Sequence, residues 1–200
     1  MDEIARYWDA QAQRFDRAPD HGLRDPKLRD AWGSLLSGLL PRPPARVLGC
    51  GTGTLSVLLA ERGHDVTGVD LAPEMIKLAR AKAQAASVQI DFRLGDASEP
   101  QLTAGAFDVV LSRHVVWALP DPGRALAGWI RLLRGGGRLV FIEGRWSNGA
   151  GLSAAKLSSL IHEQGLETTV IPIDDPIYWG SPTDDERYVI SSPVQHAHMP

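Results

Sequence analysis

Three glycines at alternate positions constrain the fold of this chain more than any other feature. They lie in the segment RVLGCGTGTLS, residues 46–56. An apolar pair precedes them and an apolar helical pattern follows, which predicts a strand, a tight loop and a helix. Glycine lets the backbone turn sharply and approach a ligand closely, and the free N–H groups of the following helix favour an anionic ligand group. Alone, the pattern also fits an ordinary turn between a strand and a helix.

Strand and helix patterns alternate after this loop. Strands are predicted at 45–48, 64–70, 88–94, 107–112, 138–144, 166–173 and 186–191, and helices at 54–62, 73–86, 121–133 and 153–164. This alternation is typical of an α/β doubly wound parallel sheet, and the last two strands suggest an antiparallel edge. We expect one domain over 1–200, with a helical arm over 1–43 and a Rossmann-like core over 44–200.

Composition narrows the possible partners. The 200 residues carry a net charge of −3, which disfavours nucleic acid as a partner. The single cysteine, Cys50, excludes an internal disulfide framework and a multi-cysteine metal site, and we predict no metal. The start of the chain does not read as a secretory signal, and no apolar run approaches the roughly 18 residues that span a bilayer. We therefore expect a cytoplasmic protein without a membrane partner; the sequence gives no basis for an oligomeric state.

Acidic residues follow the next two predicted strands. Asp70 ends the second strand, 21 residues after Gly49, where an acid is expected to accept the ribose hydroxyls of an adenosine group. Its alternative role is to cap the helix that begins near Pro73. Asp96 follows the third strand in the turn LGDA and could accept from an adenine amine, although a Gly-Asp pair alone is more often a simple turn.

At this point the sequence resembles the class I S-adenosylmethionine-dependent methyltransferases, and among them the small-molecule branch. The matching blocks are GCGTG (49–53), VTGVDLAPEMIKLARAKA (66–83), LGDA (94–97), FDVVLSRHVVWALPDP (107–122) and LLRGGGRLVFIEG (132–144). The resemblance implies a seven-stranded sheet in the order 3-2-1-4-5-7-6, with strand 7 antiparallel. It also implies S-adenosylmethionine as cofactor and a small molecule as methyl acceptor.

The resemblance assigns roles to individual positions. It implies that the loop backbone cradles the methionine part of the cofactor, that Asp70 holds the ribose, and that further residues surround the adenine. The loop residues are Gly49, Cys50, Gly51, Thr52 and Gly53, the adenine neighbours are Leu71 and Met75, and its polar edge meets Asp96 and Ala97. Met75 could equally be core. Aromatic residues of the arm, Tyr7, Trp8 and Phe15, are candidates for a lid, with packing between helices as the alternative.

Residues after the fourth strand are expected near the reactive methyl, because ligands of open α/β sheets lie where the strand order reverses. His114 is the best candidate base, since the pKa of histidine lies near operating pH, and His21 is the second. Arg113 could pair with the cofactor carboxylate or with an acidic substrate. Glu143 is a weaker candidate base. Trp146 and Trp179 could contribute to an acceptor pocket. Trp117 could pack against the cofactor or the substrate, with core packing against the following helix as the alternative.

The glycine loop lacks one expected residue. The family pattern reads like V-L-D-V-G-C-G-T-G, and here no acid precedes the first glycine. In one register Val47 takes the acid's position and Arg46 enters a central strand; in the other Gly49 takes it and Leu55 replaces the last glycine. We favour the first, which keeps the whole loop. A catalytically weak or silent cofactor-binding protein is therefore an alternative, and a nicotinamide-dependent oxidoreductase a weaker one.

Overall fold

The computed structural model describes residues 2–49 and 51–194. They form two compact units: the first holds the residues up to Ala97 with Asp175–Ser181, and the second holds Ser98–Asp174 and the residues from Pro182 onward. Each unit contains helices and contributes strands to one sheet. Its seven strands run in the order β3-β2-β1-β4-β5-β7-β6. The predicted fold class and strand order are confirmed. The prediction of one domain with a separate arm stays a prediction.

The first unit begins with three helices and continues with alternating strands and helices. Its elements are α1 (Asp2–Phe15), α2 (Pro19–Gly22), α3 (Pro26–Leu39), β1 (Arg46–Gly49), α4 (Thr54–Ala60), β2 (Asp65–Asp70), α5 (Pro73–Ala85) and β3 (Asp91–Leu94). β1 pairs with β2, and β2 with β3, both in parallel. The Asp25 side chain caps the start of α3 by accepting from the Lys27 N–H, and Pro26 follows with a φ angle already suited to a helix. The predicted third strand is shorter than expected, since only 91–94 pair.

Apolar side chains from α4, α5 and β3 form one core cluster of this unit, made of Val57, Ile76, Ala79, Ala83 and Phe92. A second cluster joins α1 to the start of α5. Gly53 fits between these elements because a Cβ there would lie 2.7 Å from the Cβ of Ala79. The loop before α4 is therefore held close to α5, where only glycine leaves enough room.

The second unit contains β4 (Phe107–Arg113), α6 (Pro122–Leu132), β5 (Leu133–Arg145), α7 (Ala154–His162), β6 (Thr169–Pro172) and β7 (Glu186–Pro193). β4 and β5 are parallel, and β7 pairs antiparallel with both β5 and β6. Val109, Val140 and Ile190 are fully buried, so the centre of this half-sheet is apolar on both faces. Ser153 caps α7, accepting from the Lys156 N–H at 3.3 Å.

The glycines at 135–137 lie within β5, whereas the sequence predicts a strand only from 138 onward. β5 begins directly after α6 and passes through them, and the pairing with β4 shifts between Phe107 and Val109. Gly136 has φ +77°, a conformation that glycine adopts at little cost. The three glycines therefore form an irregularity within the strand, because extra residues on β5 lie opposite a shorter stretch of β4. Across the described ranges, every helix is too short or too polar to span a bilayer.

Candidate functional site

The carboxyl ends of β1 and β2 bring the glycine loop to Asp70. One carboxylate oxygen of Asp70 accepts a hydrogen bond from the Gly51 N–H at 3.0 Å, and the other accepts from the Ala72 N–H at 2.9 Å. Asp70 therefore both holds the loop and caps α5, so its two alternative roles coexist. A Cβ at Gly51 would meet no atom within 4 Å, which leaves open space beside the loop for a ligand.

Burial raises the pKa of the Asp70 carboxyl above its ordinary value, and the hydrogen bonds from Ala72 and Gly51 act against that shift. The side chain remains partly exposed. A carboxylate held by backbone donors and still reachable from solvent suits the binding of sugar hydroxyls. The residues present therefore fit the ribose of an adenosine-containing cofactor.

The turn after β3 is attached to the same strand end. The Gly95 N–H donates to the Asp70 carbonyl at 2.9 Å, and the half-buried Asp96 and Ala97 follow directly. The three predicted cofactor segments of this unit thus meet through Asp70. Gly49 is buried at the end of β1, Thr52 is buried in the loop, and Gly53 precedes α4 with φ +76°. Cys50 lies outside the described residues.

Other predicted residues of this unit are more peripheral. Met75 is buried against Ala12 and Ala72, while Leu71 is half-buried. Tyr7 is 59% exposed and lies against Trp8, edge to face. The roles predicted for these residues remain predictions.

His21 lies within the arm, stacked on Phe15 with ring centroids 4.2 Å apart. Its Nδ1 is 3.1 Å from the Phe15 carbonyl and its Nε2 is 3.3 Å from the Asp20 carboxylate. A carbonyl only accepts, so Nδ1 carries a hydrogen here. Because both ring nitrogens have partners, this arrangement supports a structural role in the arm more than a role as base, which stays a prediction.

The start of β1 shows how the chain accommodates the missing acid. Arg46 is exposed, and its Nε lies 3.7 Å from the Asp65 carboxylate. Val47 is the first buried residue of the strand, and the Ala45 carbonyl extends the pairing by accepting from the Asp65 N–H at 3.0 Å. The first register places Arg46 within a central strand; in the structure it is instead the exposed first residue of β1, so no charge is buried there. The choice between the two registers stays a prediction.

In the second unit, the turn after β4 carries the predicted base. His114 is buried and its φ is +57°. Its backbone N–H donates to the Ile142 carbonyl at 2.9 Å. A left-handed conformation is uncommon outside glycine, and such strained positions cluster at functional sites. Ser112 is buried and Arg113 half-buried at the end of β4. The role of Arg113 toward the cofactor stays a prediction.

Glu143 holds this turn from β5. It is fully buried, and one carboxylate oxygen accepts from the Val115 N–H at 2.9 Å and from the Val116 N–H at 2.8 Å. Burial raises its pKa to about 8, while the two hydrogen bonds act in the opposite direction. The sequence placed Glu143 near this edge but gave no indication that it fixes the backbone beside His114.

Aromatic side chains surround His114. The rings of His114 and Trp146 meet edge to face at 5.2 Å, and Trp117 lies 5.3 Å from Trp146. The Trp117 Nε1–H donates to the His114 carbonyl at 3.0 Å, and Arg187 lies over Trp146 at 5.6 Å. Apolar aromatic walls with a few fixed polar groups are typical of small-molecule sites.

Trp179 belongs to the first unit. It is buried and packs edge to face on Trp32 of α3 at 5.5 Å. Trp32 also donates its Nε1–H to the Tyr178 carbonyl at 2.8 Å. Trp179 and the segment 176–178 thus pack on α3, and the contribution of Trp179 to an acceptor pocket stays a prediction.

The fold is Rossmann-like, and the residues at the ends of β1 and β2 fit an adenosine-containing ligand. Comparison with known proteins specifies the family. A family model described as a methyltransferase domain matches residues 47–141. The ubiquinone biosynthesis O-methyltransferase of Xanthomonas oryzae pv. oryzae (strain PXO99A) is 36% identical over 137 residues, covering 67% of this chain. The match covers 54% of that relative, so the chain spans about half the length of the curated relatives it matches.

Solved structures share the fold at lower identity. The [4+2]-cyclase SpnF aligns with a TM-score of 0.73 and 17% identity, covering 84% of this chain and 81% of that one. A SAM-dependent methyltransferase from Methanosarcina mazei aligns with a TM-score of 0.65 and 18% identity, covering 80% and 97%. The chain belongs to the class I S-adenosylmethionine-dependent methyltransferases. This family implies S-adenosylmethionine as the methyl donor, and a nicotinamide oxidoreductase falls outside it.

Proposed function

We propose that the chain binds S-adenosylmethionine at the glycine loop and transfers its methyl group to O, N or C of a small molecule. The observation that supports this best is the pair of hydrogen bonds through which Asp70 joins the loop at Gly51 to the start of α5. Because backbone donors fix this carboxylate, it is preorganised to orient a ribose. Gly51, with open space beside it, allows the ligand to approach the backbone.

The cofactor supplies an electrophilic methyl group, so the protein's part is to orient the acceptor, exclude water and handle a proton. An acceptor hydroxyl must lose its proton, and the imidazole of His114 is the base we propose for that step. Glu143 accepts from the backbone N–H groups of Val115 and Val116, and the Trp117 ring N–H donates to the His114 carbonyl, so the backbone on which His114 lies is fixed.

The acceptor is proposed to be a small molecule with an apolar, aromatic body. Trp117 and Trp146 offer faces on which such a body can stack. Curated relatives carry the name O-methyltransferase, which favours oxygen as the methylated atom. Neither nucleic acid nor a membrane is proposed as a partner, and the cytoplasmic location expected from the sequence belongs to this proposal.

Calorimetry and turnover test the proposal separately. We expect S-adenosylhomocysteine to bind the wild type, and Asp70→Asn to weaken binding about tenfold, because the amide can accept only one of the two backbone hydrogen bonds. Incubation with S-adenosylmethionine and pools of phenols, catechols and amines should release S-adenosylhomocysteine. The exposed Glu167→Gln variant is the matched control. If the wild type binds no S-adenosylhomocysteine, the cofactor site is refuted.

A silent or regulatory cofactor-binding protein is the second candidate. Two observations favour keeping it: β1 carries the apolar Val47 where the family pattern has an acid, and one protein of the same fold is a cyclase by name. Binding of S-adenosylhomocysteine without turnover across all three acceptor pools would support this candidate against the enzyme.

A further inference from the structure

Asp16, just after α1, contacts the glycine loop although no sequence pattern marks it. One of its carboxylate oxygens accepts from the Thr52 hydroxyl at 2.8 Å, and the other lies 2.5 Å from the Lys82 ammonium. Only 13% of the Asp16 side chain is exposed, and 26% of the Lys82 side chain. Burying an ion pair costs desolvation free energy, which is offset only when the geometry is good and the remaining polar atoms are hydrogen-bonded. Both oxygens of Asp16 have such partners, so the contact is specific.

The same network reaches both sides of Gly53. Lys82, on α5, also donates to the Thr54 hydroxyl at 2.7 Å, and Thr54 is the first residue of α4. Thr52 and Thr54 are both buried. Asp16 and Lys82 therefore hold the loop by its side chains, whereas Asp70 holds it by its backbone.

Two further contacts fix α1 on α5. The Asp9 carboxylate accepts from the Glu74 N–H at 2.9 Å in the first turn of α5, and Trp8 and Phe15 pack against the cluster that contains Met75. The position of Asp16 thus depends on the docking of the whole helix. Movement of α1 relative to α5 therefore changes the contact at Thr52, because the Asp16 carboxylate at the end of α1 accepts from the Thr52 hydroxyl.

We propose that Asp16 is a positioning residue that replaces the carboxylate missing from β1, and that it couples docking of the arm to cofactor binding. This rests on the proposed function. β1 offers only Val47 at the acid's position, while Asp16 brings a carboxylate to the loop from another element. By linkage, a cofactor that binds the ordered loop also stabilises the docked arm.

The test compares Asp16→Asn with Glu3→Gln, which removes the same charge from an exposed position of α1. Hydrogen exchange without ligand should be faster for residues 51–55 and for α1 in Asp16→Asn alone. Calorimetry should show S-adenosylhomocysteine binding about tenfold more weakly in Asp16→Asn than in Glu3→Gln. In the wild type, S-adenosylhomocysteine should slow exchange in α1 as well as in the loop.

A second variant keeps the test independent of one substitution. Thr52→Val retains the shape and removes the hydroxyl, so the double variant with Asp16→Asn should lose little more than either single one. Additive losses, or equal affinities of Asp16→Asn and Glu3→Gln, would overturn the proposal. If the wild type binds no S-adenosylhomocysteine, the proposed function fails; unchanged exchange of residues 51–55 in Asp16→Asn would then refute the positioning role by itself.

Discussion

Replacing Glu143 by glutamine should change the pH dependence of stability. The carboxyl is fully buried in β5, one oxygen accepts from Val115 and Val116, and the other has no hydrogen-bond partner among the described residues. The glutamine amide retains a carbonyl oxygen that can accept both N–H groups. The variant therefore preserves the turn beside His114 and removes only the ionisation.

Burial raises the pKa of Glu143 from 4.5 to about 8. Between these values the unfolded chain has lost the proton and the folded chain retains it, so stability falls as pH rises, by about 1.4 kcal/mol per pH unit. Above pH 8 the folded carboxyl ionises too and the loss levels off. From pH 6 to pH 8 the wild type should lose about 2 kcal/mol relative to Glu143→Gln.

Urea denaturation at pH 6, 7, 8 and 9, followed by tryptophan fluorescence, measures this difference. We expect the stability of the variant relative to the wild type to increase by about 2 kcal/mol from pH 6 to pH 8 and to change little above that. Glu167→Gln, at an exposed position of the same unit, should follow the wild type at every pH. Parallel curves for the wild type and Glu143→Gln would refute the reasoning, because they would mean that the buried carboxyl does not retain its proton.

Four further changes probe the loop and the turn. Gly53→Ala should destabilise the fold by about 2 kcal/mol or more in urea denaturation, because its Cβ would lie 2.7 Å from that of Ala79 at φ +76°. Gly51→Ala, at φ +84° in open space, should cost roughly 1 kcal/mol, and equal losses would contradict the packing argument. His114→Asn, which tolerates a left-handed backbone, should lower kcat about 100-fold or more while calorimetric affinity for S-adenosylhomocysteine is retained; unchanged kcat would exclude His114 as base. Insertion of Asp-Val after Leu48 should raise that affinity about tenfold, as one charge-assisted hydrogen bond would, and an unchanged affinity would contradict the importance of the missing acid.

Most of the fold could be predicted because local signals agree with the final structure. Pro73 starts α5, Gly63 has φ +86° just after α4, and apolar runs mark the buried strands β4 and β2. The glycines at 135–137 misled the prediction for β5, because a breaker of helices is also compatible with an irregular strand. Three successive glycines are compatible with a break before the strand and with an irregularity inside it. The pairing of β5 with β4 decides for the second.

The cofactor side of the site was readable for a related reason. Asp70 and Gly51 lie at the ends of adjacent parallel strands, and such ends meet at one edge of a sheet. The contact between Asp16 and Thr52 joins residues 36 positions apart through the docking of a helix. The role of Glu143 likewise depends on a partner 27 and 28 residues away. No local sequence pattern specifies contacts between residues so far apart, so only the structure shows them.

The shortened junction before the glycine loop is therefore not simply a defect. Arg46 stays at the surface beside Asp65, so the strand loses length without burying a charge. The loop then takes its carboxylate contacts from elsewhere: Asp70 on β2 and Asp16 after α1. If this compensation is effective, the acid inserted after Leu48 should help the wild type less than it helps Asp16→Asn, since in the variant nothing else replaces it. The coupling free energy between the insertion and Asp16→Asn in S-adenosylhomocysteine binding thus measures how far Asp16 replaces the carboxylate missing from β1.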